Sequence, residues 1–352
     1  MGRQGQAASD RSDPASHLTF LSHLERLLSA GRFTSTYKFA LLLSLSNIAV
    51  EKGDDSGRPM RVDLDDVARQ FIALYWNMAR PYQRLNLVLK QNRQASKPSR
   101  MITLIGEQSR HSESRYRRWR EYQGDMQGLV RDTRRTMARD VLYRLQVVGT
   151  QQSERSQPFL YDHPPTAAEC GRLREIELKP GVAASMRRLH GVIVSMVQAR
   201  WALWVRENNK RLGPDRNLEE HLFGADRKSV AKYAKRLHAL QGGRCFYTNK
   251  RLRLIDPRTV EVDHFIPWAR YPFDSPFNLV LASRAENNHM RDELKPEALR
   301  QQWLERNEEH FDLLVAPEPE GFGADKADRD TAVAVAGWVY GARSARRIPI
   351  VP

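Results

Sequence analysis

The chain has 352 residues, and its 41% hydrophobic content is enough for a substantial core and too high for a globally disordered protein. Lysine and arginine number 57 against 42 acidic residues, and the net charge of +15 favours a polyanionic partner, with nucleic acid the first candidate and an anionic membrane surface the second. The two cysteines, Cys170 and Cys245, form no CxxC pair, which excludes a disulfide scaffold and a four-cysteine zinc site and is typical of a reducing cytoplasm.

The N-terminal residues, 1–16, lack the apolar core of a signal peptide and are expected to form a disordered lead-in. The longest apolar run, "FALLLSLSNIAV" at 39–50, has 12 residues, whereas a helix that crosses a bilayer needs about 20. This run therefore predicts a buried core helix. We expect a cytoplasmic protein with no membrane partner.

Residues 17–225 are expected to form a helical domain that binds nucleic acid or another partner. Apolar residues recur with a helical period from Leu18 to Leu28, and "VDLDDVARQFIALYWNMARPY" predicts a helix with an acidic start that stops near Pro81. Further helices are predicted over 115–146, 181–209 and 229–240.

The predicted helix over 115–146 begins with arginines interleaved with Tyr116, Trp119 and Tyr122. This pattern favours contact with a nucleic-acid backbone. A solvated helix face with Trp119 in the core is the alternative. The candidate nucleic-acid-binding residues are Arg115, Arg117, Arg118, Arg120, Arg131, Arg134 and Arg135.

Strand character appears only late in the chain, in "RLRLI", "TVEVDHFI" and "NLVLAS", and a helical segment beginning "RAENNHM" follows. The predicted fold class is α+β, mainly α, with a small ββα domain at 226–312 after the helical domain. Residues 313–352 are expected to form a linker and a C-terminal helix around 333–345.

A group of polar residues accompanies these strands. Asp263 and His264 stand at the end of the first strand, Asn278 follows His264 by 14 residues, and Asn287 comes nine residues later in the first turn of the helix. A hairpin and helix of these lengths can bring the end of the first strand to face the start of the helix. Asp263 and Asn287 would then offer hard oxygen ligands to Mg²⁺, or to Mn²⁺ in its place. Magnesium binds few protein ligands and keeps several waters.

These segments resemble the HNH endonucleases, the ββα-metal or His-Me finger group, over roughly residues 229–306. The matching sequences are "VDHFIP", "NLVLAS" and "ENNHMRD", preceded by "GGRCFYTNKRL", and their spacings are similar to those in the HNH domain of RNA-guided CRISPR nucleases. The resemblance implies phosphodiester hydrolysis in which His264 is the general base, Asp263 and Asn287 hold the metal, and Asn278 braces the loop and orients the histidine. A neutral imidazole can generate the nucleophile near pH 7, and a cation can offset charge on the phosphate.

The chain departs from this family at the positions of a structural zinc. Many HNH domains hold that zinc with two CxxC pairs, so no structural zinc is expected here, and buried aromatic residues would hold the finger instead. The corresponding positions are Cys245, Thr248, Ser283 and Glu286.

Three further residues near the start of the helix are additional candidates. His289 lies two residues past Asn287, about 200° round an ideal helix, and would replace it as a ligand only if the helix began later. Arg284 and Arg291 are candidates for holding phosphate, with a solvated charge as the alternative.

The predicted function is a metal-dependent endonuclease or nickase that acts on double-stranded DNA in restriction or anti-phage defence. Phage or modified DNA is a candidate substrate, and other proteins of a defence system are candidate partners. One alternative is a non-catalytic basic DNA-binding or adaptor protein. Another is an RNA-cleaving toxin built on the same finger, because neither the base nor the metal distinguishes the 2′-OH.

Overall fold

The computed structural model describes residues 14–31, 33–82, 85–93, 98–111, 124–148, 155–156, 158–213, 217–224, 230–252, 259–318 and 320–345. These residues divide into two compact units, one ending at Phe223 and the other starting at Gly224. No helix in the described ranges is long and apolar enough to cross a bilayer. Most of the expected lead-in lies outside these ranges, but Pro14 already belongs to the first helix.

The first unit is mainly helical. Its helices are α1 (Pro14–Ala30), α2 (Tyr37–Lys52), α3 (Leu64–Met78), α4 (Arg100–His111), α5 (Met126–Asp140), α6 (Ala167–Cys170), α7 (Val182–Arg188), α8 (His190–Asn208) and α9 (Leu218–Phe223). Short 3₁₀ turns lie at Leu142–Arg144 and Lys210–Leu212.

Helix α2 is the centre of this unit, which confirms the predicted core helix. Its residues from Tyr37 to Val50 are all buried, and α3, α7 and α8 pack around it. Trp201 of α8 is fully buried and stacks near Phe39, and its indole nitrogen donates to the side-chain oxygen of Gln91 at 3.0 Å. The indole ring of Trp201 therefore packs in the core while its N–H keeps a hydrogen-bond acceptor.

Two small antiparallel sheets interrupt the part of the chain that the sequence predicted to be all helical. Strand β1 (Met60–Asp63) pairs with β4 (Glu175–Leu178), and β2 (Val147–Val148) pairs with β3 (Arg155–Ser156). Asp63 ends β1 and also caps α3, because its carboxylate accepts from the Asp65 amide at 2.8 Å. The strand thus delivers the chain directly into the helix.

The predicted helix over 115–146 is wrong at its C-terminal end. Helix α5 begins after Asp125, whose carboxylate accepts from the Gly128 amide at 2.7 Å, and it ends at Asp140. Residues 112–123, the first part of the prediction, lie outside the described ranges. The predicted helix over 181–209 is likewise divided at Leu189 into α7 and α8.

The second unit contains α10 (Ala234–Leu240), strands β5 (Val260–His264) and β6 (Leu279–Ser283), α11 (Arg284–Met290), α12 (Glu297–Glu309), α13 (Phe311–Val315) and α14 (Ala327–Ala345). Strands β5 and β6 are antiparallel, with Asp263 opposite Val280 and His264 opposite Leu279. A mainly helical chain with a small ββα element near its C-terminus confirms the predicted fold class.

Candidate active site

The ββα element places its polar residues on a buried frame. Strand β6 is buried from Leu279 to Ala282, and its last residue, Ser283, caps α11 by accepting from the Glu286 amide at 3.3 Å. The helix therefore begins directly at the strand end. Asn287 is its fourth residue, on an element that contacts both strands.

The Asp263 carboxylate is largely shielded from solvent. Its side chain is 16% exposed, the Tyr247 hydroxyl donates to its carboxylate at 2.5 Å, and the Lys295 ammonium lies 4.0 Å away. Burial raises the pKa of Asp263, while the Tyr247 hydrogen bond and the Lys295 charge lower it. Burial also lowers the pKa of Lys295. The protein alone thus compensates the Asp263 charge incompletely.

Asn287 is held by a neighbour that sequence spacing did not reveal. Its amide nitrogen donates to one oxygen of Glu261 at 2.9 Å, and Arg284 donates to the other oxygen at 2.9 Å. Glu261 and Asp263 are two residues apart on β5 and so share one face of the strand. Because its nitrogen is turned to Glu261, Asn287 points its carbonyl oxygen elsewhere and can offer it as a ligand.

His264 has a different set of partners from Asp263. Its Nε2 lies 3.1 Å from a carboxylate oxygen of Asp274, and its ring lies 5.3 Å from the Trp268 ring centroid. An ionised carboxylate can only accept, so Nε2 carries the proton in the neutral ring and Nδ1 has the lone pair. This tautomer is the one that a general base acting through Nδ1 requires.

Asn278 cross-links the loop that follows His264. It is fully buried, its side-chain oxygen accepts from the Ile266 amide at 2.8 Å, and its nitrogen donates to the carbonyl oxygens of Ile266 at 3.1 Å and Phe273 at 2.9 Å. All three partners are backbone groups of the segment between His264 and Asn278. The residue fixes the loop that carries both Trp268 and Asp274.

The C-terminal helix supports the same loops from outside the ββα element. Ser275, next to Asp274, donates to Asp328 of α14 at 2.7 Å, and the Tyr340 hydroxyl donates to the Lys295 carbonyl oxygen at 3.1 Å. Helix α14 belongs to the same compact unit as the strands. The predicted linker and C-terminal helix over 313–352 thus include residues that hold the site loops.

The positions that bind zinc in many HNH domains are joined here by hydrogen bonds. The Ser283 amide donates to the sulfur of Cys245 at 3.5 Å, and Ser283 also bonds Glu286 as described. Burial raises the pKa of Cys245, but hydrogen bonds from Thr248, Ser283 and Tyr247 together bring it below its ordinary value. Phe246 and Phe265 pack edge to face beside them, and Phe265 stacks on Trp303 at 4.8 Å. Buried aromatic residues thus surround these positions, as expected, and they include Phe265 and Trp303, which the sequence did not single out.

The remaining predicted site residues fall into separate groups. His289 is exposed on α11, Arg291 is exposed directly after the helix, and Arg284 is engaged by Glu261. Of the arginines predicted to bind nucleic acid, Arg115, Arg117, Arg118 and Arg120 lie outside the described residues, and Arg131 and Arg135 are exposed.

Arg134 corrects one part of that prediction. Its side chain is 2% exposed, it forms an ion pair with Asp65 at 2.7 Å, and it donates to the Leu173 carbonyl oxygen at 2.8 Å. These contacts tie α5 to the start of α3. Arg134 is a structural residue, because it has no exposed surface to offer to a nucleic acid.

The donor chemistry of Asp263 and Asn287 fits a hydrated divalent cation. One carboxylate and one amide oxygen on adjacent elements are few ligands, and Mg²⁺ accepts few when it keeps several waters. The incompletely compensated charge of Asp263 would be offset by such an ion. Among the described histidine, cysteine and acidic residues, no group of three or more is arranged to hold a metal.

Two residues of this site, Asp274 and Glu261, were absent from the sequence prediction. Glu261 could have been found from strand alternation, because it stands two residues before Asp263 in "VEVDH". Asp274 lies in an irregular loop ten residues after His264, where no periodic pattern indicates which side chain returns to the imidazole.

Residues 245–294 match the sequence model of a family described as HNH endonuclease. The matched segment includes Asp263, His264, Asn278 and Asn287, and it supports a nuclease activity of this part of the chain. HNH nucleases typically use divalent metal ions. No curated protein matches the chain.

Proposed function

We propose that the chain is a metal-dependent endonuclease or nickase that hydrolyses phosphodiester bonds in DNA. The observation that carries this proposal is the pairing of His264, the last residue of β5, with the Asp274 carboxylate. The residue before His264, Asp263, shares a face of β5 with Glu261, which binds Asn287. The Asp274 carboxylate selects the tautomer that is protonated on Nε2, and this leaves the Nδ1 lone pair free to accept a proton from water.

In the proposed reaction, Nδ1 of His264 takes a proton from a water molecule as the water oxygen attacks phosphorus. The bond between phosphorus and the 3′ oxygen breaks, and that oxygen leaves with the electron pair. Asp274 keeps the imidazole oriented and stabilises the imidazolium that forms. Asn278 maintains the loop geometry between these two residues.

Asp263 and Asn287 would hold the divalent cation, with Mg²⁺ or Mn²⁺ as the candidates. When bound, the cation supplies positive charge beside the phosphate and the departing oxygen. Glu261 positions the Asn287 amide, and the exposed Arg291 is a candidate for a phosphate contact.

A DNA substrate is supported by the net charge of +15, since backbone contacts with cationic side chains supply much of the affinity for duplexes. We also propose a role in restriction or anti-phage defence, which rests on the resemblance of the finger. Phage plating on bacteria that express either the parent protein or His264→Ala tests this role. Equal plating efficiencies on the two strains would contradict it.

Supercoiled plasmid incubated with the purified chain and Mg²⁺ or Mn²⁺ tests the nuclease proposal. The parent protein should convert it to open circles, and chelation by EDTA should stop the conversion. His264→Ala should abolish nicking while DNA binding in EDTA is retained, and Asn288→Ala, an exposed residue of the same domain, should nick as the parent does.

The same assay separates the alternatives. Binding of DNA by the parent without nicking in either metal would favour the adaptor protein. Cleavage of structured RNA in preference to plasmid would favour the RNA-cleaving toxin. Equal activity of His264→Ala and the parent would overturn the assigned base.

A further inference from the structure

The first unit contains a large half-open cavity that is separate from the ββα element. Its volume is about 1300 Å³, above the range of about 300–1000 Å³ that is usual for small-molecule pockets. Its walls come from the start of α2, the start of α4, the end of α5 and the segments 34–35 and 92–93. A cavity of this size has room for a ligand with several functional groups.

Positive charge dominates the cavity wall. The cationic residues are Lys38, Arg93, Arg100 and Arg144, and the acidic residue is Asp140. Asp140 already receives a hydrogen bond from Arg139 at 3.2 Å. Among the described carboxylates, none lies within 4.0 Å of the Arg93, Arg100 or Arg144 guanidinium. The cavity therefore presents cations that can pair with an incoming anion.

Lys38 contributes a buried charged group to the cavity wall. It is 7% exposed, its ammonium donates to the Val147 carbonyl oxygen at 3.2 Å, and it lies 5.5 Å from the Phe33 ring centroid. These contacts engage the ammonium within the protein, so the arginines supply the charge that a ligand would meet.

The start of α4 is internally capped and does not itself supply an anion site. The Met101 amide donates to the Tyr37 hydroxyl at 3.0 Å, and the Ile102 amide donates to the Ser99 hydroxyl at 3.3 Å. Recognition of an anion must therefore come from the side chains. Arginine is suited to this, because its planar fork binds phosphate oxygens in pairs.

The uncharged part of the wall is mixed. Thr34, Ser35, Asn92, Ser99 and Thr103 offer hydrogen bonds, and beside them an apolar and aromatic part suits a planar group. Leu104, Val141, Val147 and the Tyr143 ring line the cavity, and the Arg144 guanidinium lies 4.9 Å from the Tyr143 ring centroid. A ligand that combines phosphate groups with a flat heterocycle satisfies both parts of the wall. Three exposed arginines, Arg93, Arg100 and Arg144, against one engaged carboxylate call for more than one phosphate group.

We propose that this cavity binds a nucleotide that carries two or more phosphate groups. The inference does not depend on the nuclease proposal, because it uses none of the residues of the ββα element. A single-stranded nucleic acid that enters the cavity by one end is the competing ligand.

Calorimetric titration of the full chain with each of the four common ribonucleoside triphosphates, in EDTA at about 0.15 M salt, tests the proposal. At least one triphosphate should bind saturably, and more tightly than pyrophosphate or its own nucleoside. The exposed pair Arg100→Gln and Arg144→Gln should weaken that binding at least tenfold, because each arginine makes charge-assisted hydrogen bonds. The control pair Arg58→Gln and Arg61→Gln removes the same charge from an exposed surface of the same unit and should change binding less than threefold.

Three results would overturn the proposal: no saturable triphosphate binding, equal weakening by both pairs of substitutions, or binding of pyrophosphate as tight as that of any triphosphate. Binding of a single-stranded oligonucleotide that requires Arg100 and Arg144, without triphosphate binding, would assign the cavity to nucleic acid instead. His264→Ala should bind triphosphate as the parent does. Failure of nicking and failure of nucleotide binding are thus independent results.

Discussion

Replacing Asn278 with alanine should destabilise the loop between His264 and β6. The substitution removes three hydrogen bonds and leaves the Ile266 amide, the Ile266 carbonyl and the Phe273 carbonyl without their partner. A hydrogen bond contributes about 0.5–1.5 kcal/mol net, and a buried group left unsatisfied costs about 1–3 kcal/mol. We therefore expect the opening free energy of this loop to fall by about 3–5 kcal/mol, and by less if the loop opens enough to admit water.

Asn278→Asp should be at least as damaging, although it keeps the size of the side chain. It retains an acceptor for the Ile266 amide but directs a second oxygen at two carbonyl oxygens in a fully buried position. Because the chain contains two compact units, a global unfolding transition would mix their contributions. Hydrogen exchange of peptides from 260–283, followed by mass spectrometry, measures the opening free energy of this segment directly.

Asn288→Ala is the matched control, since this asparagine is exposed on the neighbouring helix. It should leave the exchange of 260–283 and the nicking rate unchanged, whereas Asn278→Ala should accelerate exchange and remove nicking. Slow, parent-like exchange in Asn278→Ala would refute the reasoning, because it would mean that other contacts hold the loop.

Three further perturbations follow from contacts in the two units. Asp274→Ala should lower kcat for nicking at least tenfold with little change in KM, because the base loses its orientation, and Asp274→Asn should retain more activity, since its amide oxygen can still accept from Nε2. Arg306→Met should raise the free energy of unfolding of its unit by up to about 3 kcal/mol, because a fully buried guanidinium is removed from a carbonyl that keeps two other donors. Burial lowers the pKa of His190 to about 4, so folding stability should fall by about 3 kcal/mol as pH drops from about 6.5 to 4, and His190→Gln should remove that loss.

Each of these expectations has a clear contradiction. A larger KM at unchanged kcat in Asp274→Ala would make that residue part of the binding surface. Destabilisation by Arg306→Met in urea would show that the contacts of the guanidinium with the Phe277 carbonyl and the Phe246 ring outweigh the cost of burying its charge. The sign for His190 follows from its depressed pKa: the unfolded chain takes up a proton below about 6.5 while the folded chain does not, and an identical acid slope in His190→Gln would contradict it.

The fold was predictable where the sequence pattern is local. The apolar run at 39–50 has too few polar residues for a surface helix, and α2 lies where it was expected. The strand that ends in the Asp-His pair and the strand after it have matched lengths, and β5 and β6 also lie where they were expected. Strand β1 was not predicted because four residues are too short for a period, and its partner β4 is more than 100 residues away. The break at Leu189 is equally invisible, since α7 and α8 both have helical composition.

The candidate site divides in the same way between local and distant information. Spacing on a hairpin and the helix after it, together with the resemblance to HNH endonucleases, pointed to Asp263, His264, Asn278 and Asn287 as candidates. The residues that determine what those groups can do come from elsewhere: Tyr247 and Lys295 set the charge balance of Asp263, and α14 holds the loop of Asp274 through Ser275. Asp328→Asn should weaken the hydrogen bond from Ser275 and so loosen the loop that carries Asp274. The nicking rate should then fall, although Asp328 itself is no part of the proposed phosphate site. Unchanged kinetics in that variant would show that Asn278 alone is sufficient to keep His264 and Asp274 together.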